Sequence, residues 1–326
     1  MTKATILEAR GIKKTFSLGA GFFARTDKSV YAVNDVSFSI ARGATYGLIG
    51  ESGCGKTTTA RILCSMYDAT AGTVLYTPAL DATLDSVPHD IRSFSKKERT
   101  VYRQKVKYIF QDPSRSLNPR MSILQILTGG LRHSPQWQGK SAARETAAAI
   151  LEETGIDAKD LDRRPGEFSG GQRQRISIAR GLIMQPDMLI CDEVVSALDV
   201  SIQGQILNLL AELKEKRGLT YLFIAHDLRV ACYFCDVIGI MYRGVLVEEA
   251  PARDLYQTAA HPYTKLLFKG AMSALSGGGE VTSLLEENRG CPFAHRCPNT
   301  TDKCRHALPE FRTVTAGHRM RCWTDG

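Results

Sequence analysis

The chain has 326 residues, 43% of them hydrophobic, and a formal net charge of +8. That length exceeds a typical single domain and that apolar content can fill a large core, so a main body with an appendage is expected. No stretch approaches the ~20 apolar residues that cross a bilayer, which excludes a helical membrane span.

The opening MTKATILEARGIKK has neither an apolar signal core nor a small-residue cleavage site, which points to the cytosol. The surplus of lysine and arginine suits a protein working beside anionic lipid or nucleotide phosphates, and equally an ordinary solvated surface. Of the nine cysteines, Cys54, Cys64, Cys191, Cys232 and Cys235 are scattered through the body, while Cys291, Cys297, Cys304 and Cys322 crowd the C-terminal end. A cytosolic compartment disfavours structural disulfides, so a terminal thiol cluster there points to metal binding.

In chain order, Val36, Phe38 and Ile40 alternate with polar neighbours as in a strand, and Tyr46 to Ile49 is a short buried strand running into a glycine loop. Thr57 to Cys64 has helical character. Residues 77–104, polar and punctuated by Pro78 and Pro88, read as a surface excursion before a strand at Val106 to Phe110. From Asp112 to about Pro165 the composition turns helical, most clearly at Ala142 to Glu153. Met188 to Cys191 and Tyr221 to Ala225 are continuous apolar runs of strand length, as in a parallel sheet covered on both faces. Val237 to Val247, broken at Arg243 and Gly244, reads as a hairpin, and 276–279 as a linker into the cysteine-rich tail.

Three motifs carry chemistry. Gly50-Glu51-Ser52-Gly53-Cys54-Gly55-Lys56-Thr57, followed by Thr58, matches the phosphate loop GxxxxGK[ST] in its required strand, loop, helix context. Its glycines let backbone N–H groups converge on phosphate oxygens, Lys56 neutralises the outer phosphates, and Thr57 offers a hydroxyl to Mg²⁺. Asp192 and Glu193 stand at the end of a buried strand, where one carboxylate holds Mg²⁺ and the other orients and polarises an attacking water. Ser169, Gly170, Gly171 and Gln172, within FSGGQRQR, cap a helix expected over Gln172 to Ile183; the bared backbone donors make an anion site at its positive end.

With these motifs in this order, the chain resembles a nucleotide-binding subunit of an ATP-binding cassette (ABC) transporter over nearly all of residues 5–267. The resemblance implies an α/β P-loop NTPase with an antiparallel N-terminal β subdomain and a helical subdomain over about 112–180. It places the cassette at 1–267 and a small Cys-rich extension at 268–326. It further implies that the Ser169 to Gln172 segment acts in trans, two subunits pairing head to tail around two ATP molecules. By the same likeness Gln111 joins the γ-phosphate and Mg²⁺ to the membrane subunits, and Asp199, in Ser196-Ala197-Leu198-Asp199, lies in the segment crossing the dimer interface. The resemblance also implies that His226 contacts the γ-phosphate and that Phe16 stacks on adenine, with Tyr31 a second aromatic nearby. Val194 departs from the pattern, standing where proline commonly follows the catalytic glutamate.

A finer resemblance is to the oligopeptide and dipeptide importer branch, carried by FSGGQRQR, by Ser196 to Ser201, by His261-Pro262-Tyr263-Thr264 and by the terminal cysteines. It implies two membrane permease subunits, a homologous second ATPase, an extracytoplasmic solute-binding protein and a place on the cytoplasmic face of a bacterial inner membrane, without nucleic acid. Relatives in that branch also carry nickel chelates, opines or oligosaccharides. It implies as well that Cys291, Cys297, Cys304 and Cys322 hold a 4Fe-4S cluster; four soft thiolates suit zinc equally, and His295, His306 and His318 are nearby substitutes. Cys232 and Cys235 read as packing residues. The rival classes are a soluble ABC ATPase acting on DNA or ribosomes, which would bring tandem cassettes or long coiled-coil inserts, and a non-hydrolysing regulatory cassette, which intact Glu193 and SGGQ oppose.

Overall fold

The computed structural model describes residues 4–18, 28–79, 86–270 and 290–324; the expected linker at 276–279 lies outside them. The chain forms two compact units, one of Met1–Phe94 with Phe223–Gly326, the other of Ser95–Leu222. It passes from the second unit back to the first within the strand Thr220–Ala225.

The first unit contains an antiparallel sheet in the order Lys28–Ala41, Thr5–Leu18, Ala71–Tyr76, His89–Asp90. Period-two alternation puts Val36, Phe38 and Ile40 on its buried face, as the pattern predicts. Five more strands of this unit lie in the order Arg312–Thr315, His318–Met320, Val245–Pro251, Val237–Tyr242, Thr45–Ile49. The last two run parallel, and the expected hairpin closes through Arg243 (φ 43°) and Gly244 (φ 81°), the paired positive φ values of a tight hairpin turn. The C-terminal strand pairs Met320 with Glu248 and Arg319 with Glu249, so the tail extends this unit's sheet. A buried hydrogen-bond contact fastens it: His318 Nε2 lies 2.7 Å from Glu248 Oε1, with side chains 2% and 0% exposed. The same carboxylate accepts from the backbone N–H groups of Ala260 and His261 at 2.7 and 3.1 Å.

In the second unit Val106–Ile109 runs parallel to Met188–Asp192, and the latter is buried along its length. Its helices include Lys140–Glu153, Gly170–Leu182 and Val200–Arg217. One expectation is corrected here: residues 77–104 are more than a surface excursion. They carry the short strand His89–Asp90 and run into the helix Lys96–Lys105. Ser95 and Glu98 form a reciprocal capping box at that helix start, and Tyr102 is fully buried, so local capping and one aromatic anchor outweigh the polar composition. Among the described residues no helix is long and apolar enough to cross a membrane.

Candidate functional site

The phosphate loop belongs to the first unit and joins the buried strand Thr45–Ile49 to the helix Lys56–Leu63. Two of its glycines are required by close approach. A Cβ on Gly50 would stand 2.1 Å from the Met241 carbonyl oxygen, and one on Gly55, at φ +105°, 2.2 Å from that of Ala32. Both contacts are far inside van der Waals distance, so only glycine lets the loop lie this close to the chain behind it. The Gly244 N–H donates to the Cys54 carbonyl at 2.8 Å, a further tie between loop and hairpin.

Lys56 Nζ donates to the carbonyls of Gly50 and Glu51 at 2.8 and 2.9 Å and lies 3.7 Å from Cys54 Sγ. Burial pushes the Cys54 thiol up, against the pull of Lys56, so it sits as a neutral filler under the loop. Glu51, Ser52 and Gly53 are exposed; Thr57 and Thr58, in the first helical turn, are half-buried. His226 is exposed at the end of Thr220–Ala225, next to Asp227, whose side chain caps the helix Leu228–Phe234. Phe16 is half-buried on Thr5–Leu18, edge-on to Tyr67 at 5.7 Å with Lys14 Nζ 5.1 Å from its ring centre. Tyr31 pairs with Thr15 across the neighbouring strand.

The second unit carries Gln111, Ser169 to Gln172, Asp192, Glu193 and Asp199. Asp192 is buried at the strand end and accepts a short hydrogen bond from the Tyr108 hydroxyl. Sequence reasoning missed Tyr108, which the register Val106↔Met188 to Ile109↔Cys191 sets opposite Ile190, two residues before Asp192; that register is made only by folding. Glu193 has φ +49°, so the chain turns through the left-handed region as it leaves the strand. Its Oε2 accepts from Gln111 Nε2 at 2.6 Å, which brings these two predicted residues together. Val194, in the place of the usual proline, is buried at 2% exposure and fills core.

Ser169 and Gln172 form the expected cap as a full capping box: Gln172 N–H donates to Ser169 Oγ at 3.3 Å, and Ser169 N–H to Gln172 Oε1 at 2.9 Å. The helix begins at Gly170, earlier than the sequence indicated. A Cβ on Gly171 would meet Ile202 Cγ2 at 2.8 Å, so this glycine also permits packing on Val200–Arg217. Asp199 is the exposed N-cap residue of that helix, and Val200 beside it is 84% exposed.

In the tail, Cys291, Cys297, Cys304 and Cys322 line one small pocket, together with His261, Phe293 and Trp323. All four are free thiols. Among the described residues no group of three or more His, Cys, Asp or Glu side chains is already drawn together as a metal-ligand set. Burial pushes the Cys291 thiol up to about 11, and the other three cysteines add to the effect. The histidines named as substitute ligands are engaged elsewhere: His318 with Glu248, His295 with Tyr242 at 3.3 Å, and His306 Nδ1 at 2.8 Å from the Asp302 carbonyl. Burial holds His261 down at about 4, so the ring at the pocket is neutral. Cys235 Sγ packs on Gly47, where an added Cβ would lie 2.8 Å from it, as a packing role for this residue requires.

Known proteins bear on these features. Residues 33–196 match the ABC transporter family, and residues 247–304 match the C-terminal region of oligopeptide/dipeptide transporters. A putative peptide import ATP-binding protein of Brucella ovis is 40% identical, covering 100% of this chain and 99% of its own length. The oligopeptide transport ATP-binding protein OppF of Bacillus subtilis is 46% identical over 97% of this chain and 96% of its own. A dimeric ATP-binding cassette solved in a post-hydrolysis state with ADP and Pi superposes with a TM-score of 0.63 at 26% identity, covering 76% of this chain and 99% of that one. A cassette of an ABC transporter in its ADP conformation gives 0.64 at 24% identity, covering 82% and 100%, and supports the fold alone. With a phosphate loop, a buried acid-ended strand and a capped SGGQ helix on an α/β frame, and relatives matched along nearly their full length, the chain belongs to the ABC transporter family, as an ATP-binding cassette ATPase.

Proposed function

We propose that this ATPase drives uptake of oligopeptides or dipeptides into a bacterial cell from the cytoplasmic face of the inner membrane. In this reading the cassette at 1–267 pairs with a second, homologous ATPase and docks on two permease subunits served by an extracytoplasmic solute-binding protein. The observation that carries it is the match of residues 247–304 to the oligopeptide/dipeptide transporter C-terminal region, on a chain whose relatives are named for peptide import.

Bound Mg²⁺ would supply charge neutralisation at the β- and γ-phosphates, and the hard oxygens of Thr57, Gln111 and Asp192 suit it. Lys56 and the loop N–H groups hold the phosphates, and the Tyr108 hydroxyl keeps the Asp192 carboxylate turned to one side. Glu193 takes up the proton of the attacking water, and Gln111, hydrogen bonded to it, links its position to the surface that meets the permeases. His226 steadies the γ-phosphate and Phe16 the adenine. Ser169 to Gln172 present their helix start to the nucleotide of the partner cassette, and Asp199 lies at the seam. ATP binding closes the pair, and hydrolysis reopens it.

The four tail thiols line one pocket without being drawn together as a ligand set; deprotonated, such soft donors would suit a 4Fe-4S cluster, with zinc as the alternative. Such a centre would cross-link Cys291, Cys297, Cys304 and Cys322 in a segment with little core of its own. Anaerobic purification followed by visible spectroscopy and metal analysis separates iron–sulfur from zinc.

Glu193→Gln, assembled with permeases and receptor, is expected to retain ATP while turnover falls at least 100-fold; undiminished hydrolysis overturns the assignment. In a complex reconstituted with the parent chain, a peptide-loaded receptor should stimulate hydrolysis. Stimulation only by receptors loaded with nickel chelates, opines or oligosaccharides overturns the peptide reading and leaves the ATPase intact.

A further inference from the structure

Glu51 is the second residue of the phosphate loop, and its side chain, its N–H and its carbonyl are all engaged. Its carboxylate meets Arg296 of the tail, whose Nη1 lies 3.1 Å from both Oε1 and Oε2. Its N–H donates to the hydroxyl of Tyr263 at 3.1 Å. Its carbonyl accepts from Lys56 Nζ at 2.9 Å. One residue thus ties the phosphate-binding lysine to two different parts of the C-terminal region.

Both partners of Glu51 are built into the chain beside the cysteine pocket. Arg296 immediately precedes Cys297, in a run of turns where Ala294 N–H donates to the Cys291 carbonyl and Arg296 N–H to that of Phe293, each at 3.0 Å. Its guanidinium carbon lies 5.9 Å from the Tyr242 ring centre and 5.8 Å from that of Phe293. Stacking of this kind orders the side chain, so less freedom is lost in holding Glu51. Tyr263 is fully buried, 4.5 Å from Tyr242 and 5.4 Å from Phe293 between ring centres. Its N–H donates to Nδ1 of His261 at 3.1 Å, and His261 lines the pocket of the four cysteines.

We propose that the C-terminal segment sets the nucleotide affinity of the phosphate loop through Glu51, with Arg296 and Tyr263 as positioning residues and the four-cysteine pocket as the frame that holds them. The proposal rests on the nucleotide-binding reading of the loop. It makes the state of the cysteines a determinant of how tightly the cassette takes ATP.

The Arg296–Glu51 pair is 38% and 43% exposed, so its share is modest. Arg296→Ala is expected to weaken binding of a fluorescent ATP analogue to the full chain by about threefold. Arg296→Glu, which faces one carboxylate with another, should weaken it by about tenfold. Combining Arg296→Glu with Glu51→Arg should bring affinity back to within about twofold of the parent, a rescue that general damage to the fold would not give. Tyr263→Phe removes the acceptor for the Glu51 N–H and should cost about tenfold. For Arg296→Ala, Arg296→Glu and Tyr263→Phe, KM for ATP rises while kcat of the assembled complex stays within about twofold.

Cys297→Ser tests the frame: it should weaken analogue binding in the parent and add nothing further in the Arg296→Ala background. Thermal melting is recorded alongside to show that each variant is folded. Unchanged affinity in folded Arg296→Glu and Tyr263→Phe, absence of rescue in the charge swap, or full additivity of Cys297→Ser with Arg296→Ala each overturns the proposal. A parent chain that binds no ATP analogue overturns the underlying nucleotide reading instead.

Discussion

The phosphate loop and the SGGQ turn both aim helix starts at anions, and they are held in opposite ways. The loop is fixed from outside itself: Gly50 and Gly55 lie against the backbone of Met241 and Ala32, Cys54 is tied to Gly244, and Glu51 to Tyr263 and Arg296. The exposed ends of the SGGQ turn are fixed by one another, through the reciprocal bonds of Ser169 and Gln172. A site shaped by tertiary packing fails when distant parts fail, whereas the exposed ends of a turn closed by its own capping box depend first on their own atoms, with Gly171 the turn's tertiary contact to Ile202.

The strongest way to break this comparison is Gly50→Ala. The added methyl group must displace the Met241 carbonyl, 2.1 Å away, or move the loop, and ATP affinity should fall at least 100-fold, measured by calorimetric titration with circular dichroism as the check on folding. Normal affinity would mean the loop does not depend on the hairpin behind it.

Next in size is Glu248→Ala. It removes a fully buried carboxylate and strips His318 and the Ala260 and His261 N–H groups of their acceptor, at a cost of about 3–5 kcal/mol in urea denaturation. Because His261 leads directly into Tyr263, this variant should also weaken ATP binding without touching the loop.

The smallest effect sharpens the contrast from the other side. Ser169→Ala loses one half of the capping box and about 1 kcal/mol of stability. ATP affinity of the isolated chain should not change, while hydrolysis by the assembled transporter falls. An altered affinity in the isolated chain would show that the two anion sites are coupled within one molecule.

The locally determined half of this picture was legible in the sequence. Ser169 and Gln172 are three residues apart, and the phosphate loop is one contiguous motif, so spacing alone identified them. The helix Lys96–Lys105 was legible by the same rule, in Ser95 and Glu98, yet the polar run around it hid the signal. Val194 showed as a departure from the family pattern, but that it fills core required the fold. What could not be read were pairings made only by folding: Tyr108 with Asp192, Glu248 with His318, and Glu51 with Arg296, the last separated by 245 residues. Periodicity and spacing carry no information about such partners, since each depends on which strands or loops the fold brings together.

The positive φ of Glu193 bears on how the motor is trapped for study. Left-handed backbone costs an ordinary L-residue about 1 kcal/mol, and crowds a β-branched one further. An amide of the same length leaves that bend undisturbed and subtracts only the proton acceptor. Valine or threonine at this position would unbend the exit from the strand as well, and a dead enzyme so made would say nothing about which loss had stopped it.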